Sequence, residues 1–375
     1  MTLQMVDLRA QTAAIRPELD AAIAAVLDSG AFVRGPFVSA FEAELSAYVT
    51  GLGGETVHAV GVGNGTDAIQ IALMALGVGA GDEVVCPSFT FVATAEAAAV
   101  LGATPVFVDI DPETYNLDPD LLHGALTTRT KAVVPVHMFG QCADVTAIRA
   151  VCDPLGIPVL EDAAQAIGAT WQGQPAGALG QVATLSFYPS KNLGAFGDGG
   201  AILTTDSDLA DRARQIGNHG SAKKYHHTAV GVNSRLDAIQ AAVLSVHLRH
   251  LPTWIDARRA AAAAYDAHLG DLEDVTRPRR AESARHVFHQ YTIRVPAERR
   301  DGLRDHLKAN GVPTMVYYPE PIHHMPPYLG PALPRTERAC REVISLPMHP
   351  HLTLSEIEYV AGHVRSFLAE PALAA

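Results

Sequence analysis

Apolar residues recur near a 3.6-residue period over residues 9–29, with Ile15, Leu19, Ile23 and Val26 on one face, and this spacing predicts a helix. Gly35-Pro36 interrupts the chain and leaves Arg34 in a loop, after which helical spacing resumes from Phe37 to Val49. Short apolar runs of strand type follow at residues 59–62, 83–86, 105–109, 132–136 and 157–160. Helical stretches stand between them: one opened by Thr66-Asp67 with Ile69, Leu73 and Leu76 as its apolar stripe, one at 92–101, one around Ile148. Strands and helices alternating at this spacing predict an α/β fold with a doubly wound, mainly parallel sheet. An alanine-rich stretch after Glu161-Asp162 reads as a further helix carrying Gln165.

Two more apolar runs, one ending at Ser186-Phe187 and one closing at Thr205, flank a loop that presents a single lysine, Lys191. The return from that loop is glycine-rich, through Gly194, Gly197, Gly199 and Gly200. Helices are predicted at 207–217 and from Ser234 to Leu248, with a polar, basic loop between them. Beyond residue 250 the pattern changes to a helix at 254–269, an alternating strand HVFHQYTIRV, a helix RDGLRDHLKANGV and a strand PTMVYYP. That order predicts a small α+β domain at 251–375 appended to a large domain at 1–250.

An apolar content of 48% supports a sizeable core. The balance of 28 Lys and Arg against 40 Asp and Glu, a net charge of −12, argues against a surface that tracks nucleic-acid phosphates. The 4 cysteines lie far apart, without the spacing of a disulfide framework or a zinc site. None of the 17 histidines pairs with another on a helix beside an acid at ligand spacing, so no metal is expected. The opening MTLQMVDLRAQ lacks signal-peptide order and no apolar run is long enough to span a bilayer, which reads as a soluble, cytoplasmic protein with reduced thiols.

Three strand ends carry chemistry. Gly63-Asn64-Gly65 stops the strand at 59–62 just before a helix, where unsatisfied first-turn amides and the positive end of the dipole suit a phosphate. In isolation the same residues are equally a plain cap by Thr66 or Asp67. Glu161-Asp162 closes a second strand, and Lys191, 29 residues after Asp162, follows the end of a third. Ligands of open parallel sheets bind at this carboxyl edge. A lysine amine for an aldehyde, a carboxylate for a pyridine nitrogen and a helix N-terminus for a phosphate together suggest pyridoxal 5'-phosphate (PLP). Phe89 and Phe91 follow a strand directly, as core residues or as a stacking surface for a planar cofactor.

With GNGTDA, PSFTFVATAEA, PVFVDIDPETYNLDP, VHMFGQCAD, EDAAQAIGA, SFYPSKNLGAFGDGGA and GVNSRLDAIQAA in register, the chain resembles the DegT/StrS family of nucleotide-sugar aminotransferases over nearly its whole length. The resemblance implies PLP fold type I (aspartate aminotransferase-like) and a homodimer with shared active sites. It implies that Lys191 holds PLP, Asp162 pairs with the pyridine nitrogen and Gln165 touches the ring hydroxyl. Gly65 and Thr66 amides and the Ser186 hydroxyl would hold the phosphate, Phe91 would stack on the ring, and Asn233 would reach the phosphate from the partner subunit. Retention of Lys191 implies transamination from glutamate through pyridoxamine phosphate to a ketosugar, rather than the dehydration run by relatives lacking the lysine.

Within the family, VDLRAQ, CADV, KKYHHTAVGVNSRLDAIQAA and SLPMHPHL are most similar to enzymes that aminate C3 of UDP-2-acetamido-3-keto-hexuronic acid in surface-polysaccharide and O-antigen pathways. Enzymes for dTDP-3-keto-6-deoxyhexoses share the scaffold, and a sugar or aminocyclitol enzyme of the same fold is the further alternative. A non-catalytic sensor that keeps the fold is a third. Arg235, or Lys223-Lys224, would meet a uronate carboxylate or the diphosphate, although Arg235 has Asp237 as a competing partner. Tyr317, Tyr318 and His323 are the expected substrate contacts. Glu320 and Met325 depart from the commoner family forms beside the sugar pocket.

Overall fold

The computed structural model describes residues 3–223 and 225–370. Seven strands build the central sheet: β1 (His58–Val62), β2 (Glu83–Pro87), β3 (Thr104–Val108), β4 (Thr130–Val133), β5 (Leu160–Asp162), β6 (Val182–Ser186) and β7 (Gly200–Thr204). Their spatial order is β3-β2-β4, continued through the parallel bridges Val133–Val159 and Val136–Asp162 into β5-β6-β7-β1. β7 is antiparallel to both β6 and β1, while the other pairs are parallel. The Lys191 loop explains the exception: residues 187–199 contain no crossover helix, so the chain returns alongside β6 in the opposite direction.

Both faces of the sheet are covered, which is why its strands read as continuous apolar runs rather than as alternation. Val85, Ala183, Leu185 and Leu203 point into a core shared with Phe41, Leu45, Leu244 and Leu251. Their sequence neighbours Val84, Cys86, Val182 and Ile202 point the other way, onto Ile71, Leu73, Ala98 and Ala213. The four cysteines are buried and unpaired. No helix among the described residues is long and apolar enough to cross a membrane.

Five predicted elements differ in detail. The helix expected over 9–29 is two, Leu8–Ala14 and Arg16–Ser29, broken at Ile15 (φ −126°, ψ 18°) because Pro17 has no N–H to continue the first. Residues 163–169 form turns instead of a helix. There the Ala163 N–H donates to Thr184 O on β6 (2.9 Å), and Gly168 takes φ +84°, so tertiary pairing overrides alanine propensity. The helices predicted at 234–248 and 254–269 are one helix of 32 residues, Ala238–Leu269, with Pro252 on its exposed side. PTMVYYP forms only the bridge Met315–Ser345, its start blunted by Pro313.

Residue 250, the expected boundary, lies inside the long helix. Leu244, Leu248, Leu251 and Ile255 anchor its first half to the large sheet. Ala261, Ala262, Tyr265 and Leu269 anchor its second half to a separate core around Tyr291, Ile293, Leu303, Leu307 and Val360. That core is built on an antiparallel pair, Tyr291–Arg294 with Val343–Leu346.

Candidate active site

The ends of β1, β6 and β7 meet so closely that only glycine fits between them. A Cβ on Gly65 would stand 2.6 Å from the Cβ of Ser186, and one on Gly200 would overlap the carbonyl of Asn64. The helix Gly65–Ala75 starts here with Asn64, not Thr66 or Asp67, as its cap: Asn64 Oδ1 accepts from the Asp67 N–H (2.8 Å). Ala68 N–H is taken by Asn64 O (3.1 Å), which leaves the Gly65 and Thr66 amides without a partner among the described residues. Ser186 Oγ accepts from the Tyr188 N–H (3.4 Å) and keeps its own proton to donate. Free amides, a helix N-terminus and a hydroxyl form an anion cradle.

Next to it a cavity of about 660 Å³ is lined by Thr66, Phe91, Asp162, Gln165, Ser186 and Lys191. Lys191 is half-buried, its backbone held by Tyr188 O (2.8 Å). Burial pushes its ammonium down to about 8, against the opposing pull of Asp162. Asp162 is buried at the end of β5, where Oδ2 accepts from Thr94 Oγ1 (2.8 Å) and Oδ1 from the Ala164 N–H (3.2 Å). Gln165 Oε1 accepts from the Phe139 N–H (2.8 Å), and its Nε2 donates to Tyr318 Oη (3.4 Å). Burial, then Asp162, raises the Tyr318 phenol, so it stays protonated at neutral pH. The two candidate aromatics separate cleanly. Phe89 is 0% exposed in a cluster with Tyr115 and Phe139, whereas Phe91 is 57% exposed at the cavity wall.

Three contributions escape the sequence reading, two of them whole residues and the third the role of Glu161. His289 and Gln290 line the cavity from the start of the strand Tyr291–Arg294. Asn192 Nδ2 donates to Val287 O (3.4 Å), which orients Oδ1 to accept from His289 Nδ1–H (3.2 Å) and leaves His289 Nε2 an acceptor. Burial, with Lys191 and Arg258 nearby, holds this imidazole well below its usual value, hence neutral. Glu161 is the third. Its Oε1 accepts from the Leu179 and Gly180 N–H groups (2.8 Å each), its Oε2 from the Gly177 N–H (2.9 Å) and His137 Nε2 (2.8 Å). The Ala143 N–H donates to His137 Nδ1 (3.1 Å), fixing the tautomer that serves Glu161. A carboxylate interrupting an apolar strand was the signal for Glu161, whereas His289 and Gln290 hid inside an ordinary strand pattern.

Other expected residues stand elsewhere in this chain. His323 is buried outside the cavity, its Nδ1 on Ser88 Oγ (2.8 Å) and its Nε2 facing Glu337 (3.4 Å). His323, His324 and Glu337 bring one donor atom each within 4.8 Å of one another, a set that helix spacing did not foretell. Tyr317 and Tyr318 do line the cavity. Arg235 donates to Asn218 Oδ1 (3.0 Å), not to Asp237, and with Lys223 it borders a second, open cavity of about 1050 Å³ that also exposes Arg34, Arg212 and Arg214. Asn233 is exposed on the same segment, while Lys224 lies outside the described residues.

The family model for the DegT/DnrJ/EryC1/StrS aminotransferase family matches residues 13–365. The chain belongs to this family. It is 48% identical to a dTDP-3-amino-3,4,6-trideoxy-alpha-D-glucose transaminase of Streptomyces venezuelae, covering 96% of this chain and 95% of that one. It is 47% identical to a UDP-2-acetamido-2-deoxy-3-oxo-D-glucuronate aminotransferase of Pseudomonas aeruginosa (96% and 99% covered) and 47% identical to a pleiotropic regulatory protein of Geobacillus stearothermophilus (98% and 99%). The crystal structure of S. venezuelae DesV superposes with a TM-score of 0.95 at 46% identity, over 99% of both chains. The architecture is PLP fold type I, and the chain is an aminotransferase by family. Its residues fit PLP: the glycine-lined cradle suits the phosphate, buried Asp162 a protonated ring nitrogen, and desolvated Lys191 the aldehyde.

Proposed function

We propose that this chain transfers an amino group from glutamate to C3 of a nucleotide-linked ketosugar, UDP-2-acetamido-3-keto-hexuronic acid, with PLP as its cofactor. The observation that carries the reading is the meeting of Lys191, Asp162, Gln165 and the Gly65–Ser186 cradle in one cavity. When bound, PLP supplies an aldehyde carbon to carry the amine and a ring that accepts electrons. Asp162, kept in place by Thr94 and Ala164, would hold the proton on the ring nitrogen. Gln165 would meet the ring hydroxyl, Phe91 would stack on the ring, and the Gly65 and Thr66 amides with Ser186 would hold the phosphate. Lys191 Nζ would take and return the proton at the reacting substrate carbon, a task suited by a pKa near 8. Tyr317 and Tyr318 bound the sugar side. Glutamate leaves as 2-oxoglutarate and the sugar carbonyl becomes an amine.

The assembly that serves this chemistry is a homodimer in which Asn233 completes the partner's cradle. The cationic edge formed by Arg34, Lys223 and Arg235 then meets a diphosphate or uronate. Identities of 48% and 47% to a dTDP-sugar and a UDP-sugar enzyme favour the same reaction on either nucleotide, and dTDP-3-keto-6-deoxyhexose is the alternative acceptor. The regulatory name of one relative supports a second reading, a PLP-binding protein without turnover. Comparing the wild type with Lys191→Ala against UDP- and dTDP-linked 3-ketosugars decides. Amination of one acceptor by the wild type alone supports the proposal, and none by either protein favours the second reading.

A further inference from the structure

Gln290 lines the Lys191 cavity just before the strand Tyr291–Arg294. It is 5% exposed, and its Oε1 is buried without a hydrogen-bond partner among the described residues. An amide oxygen in that state pays a desolvation penalty, so buried ones are nearly always paired. The polar side chains around it obey the rule: Asp162 has Thr94 and Ala164, Gln165 has Phe139 and Tyr318, and His289 has Asn192.

Gln290 is also held firmly. Its N–H donates to Phe139 O (3.3 Å), and the Phe139 N–H donates to Gln165 Oε1 (2.8 Å), so one residue sets the relation between the two glutamines. Phe139 takes φ 57° to do so, and its ring packs edge-on against Phe89 at 6.2 Å. A methionine or leucine fills the same volume without the penalty, so packing alone gives no reason for an amide here.

We infer that Gln290 is a specificity-determining residue whose side-chain oxygen accepts a hydrogen bond from an N–H or O–H of the substrate bound beside Lys191. The inference rests on the aminotransferase reading. Two sources offer such a group, the ammonium of the amino donor and a hydroxyl or acetamido N–H of the sugar. They occupy the cavity in different half-reactions, which separates them.

The test uses the holoenzyme and its Gln290→Met and Gln290→Leu variants, following PLP absorbance in each half-reaction together with the melting temperature. At least one half-reaction is expected to lose roughly five- to a hundredfold in kcat/KM, with the melting temperature and cofactor spectrum unchanged. Loss with glutamate identifies the donor as the group recognised, and loss with the ketosugar identifies the acceptor. Unchanged rates in both halves overturn the inference, as does any loss that comes with a lowered melting temperature in both variants. Failure of the wild type to exchange with any donor overturns the aminotransferase reading as well, and the wild-type trace alone reveals it.

Discussion

Lys191 must be neutral to capture an aldehyde, and its surroundings bring that within reach of physiological pH. The protonated amine is not nucleophilic, and its neutral fraction grows as pH rises through about 8. PLP uptake by the cofactor-free protein is therefore expected to accelerate between pH 7 and pH 9, ranges set by that value, with a midpoint near 8 in stopped-flow absorbance. A midpoint near the ordinary 10.5 contradicts the placement of Lys191 in a desolvated pocket. Gly65→Ala forces a methyl against Ser186, and a loss of about 1–3 kcal/mol in PLP binding is expected from the strain, read by cofactor titration. Wild-type affinity in that variant would mean the cradle is looser than drawn.

The places of Asp162, Gln165, Ser186 and Lys191 on the cavity were legible in the sequence because each ends a strand or stands within five residues of a strand end, so its position at the sheet edge follows from local pattern. His289 and Gln290 were not. Their strand looks like any half-buried strand, and only packing of the second core against the first brings it to Lys191. His323 shows the converse: Tyr317 and Tyr318, a few residues earlier, line the cavity, but Ser88 and Glu337 hold His323 away from it.

Among the elements, β5 has the least room for error. Its Glu161 takes four hydrogen bonds, three from the amides of residues 177–180 and one from His137, and thereby clamps the strand end that presents Asp162. Glu161→Gln turns an NH₂ group toward N–H donors. A destabilisation of about 2–3 kcal/mol in denaturant titration, with weaker PLP retention, is expected from the unpaired groups. A neutral effect on both contradicts the clamp. The helix Ala238–Leu269 shows why element bounds were harder to read than element types. Proline and a change of apolar face near residue 252 look like a gap in the sequence. In the fold the helix runs on through Pro252 and passes from the first core to the second between Ile255 and Ala261. Residues 163–169 erred the other way, since helical composition yielded to a hydrogen bond into β6.

At the scale of the whole molecule, several buried histidines make the fold sensitive to acid. Burial, helped by Arg280, pushes His286 down to about 3, while its Nδ1 accepts from the Phe288 N–H (2.9 Å) and its ring stacks on Phe288 at 3.9 Å. Unfolded, the same imidazole titrates near 6.5. Between those values the unfolded chain binds a proton that the folded one refuses. Stability is thus retained above pH 6.5 and falls toward pH 3, by about 1.4 kcal/mol per pH unit for this group. His286→Asn keeps an acceptor for Phe288 and should flatten the acid limb of stability against pH by about one proton. An unaltered slope contradicts a neutral, buried His286. The proposed dimer has its own test. Hybrids of Lys191→Ala with Asn233→Ala subunits contain one site with both residues native, so they should exceed either parent in activity. Hybrids no more active than the parents contradict a shared site.

The central claim is that one cavity receives an amine from a donor and passes it to a ketosugar. Its most direct test is the visible spectrum of the purified holoenzyme, first with glutamate and then with UDP- and dTDP-linked 3-ketosugars in turn. The account predicts that glutamate bleaches the PLP absorbance and that one ketosugar restores it, with Lys191→Ala failing at both steps. A PLP band that glutamate and every ketosugar leave unchanged contradicts it.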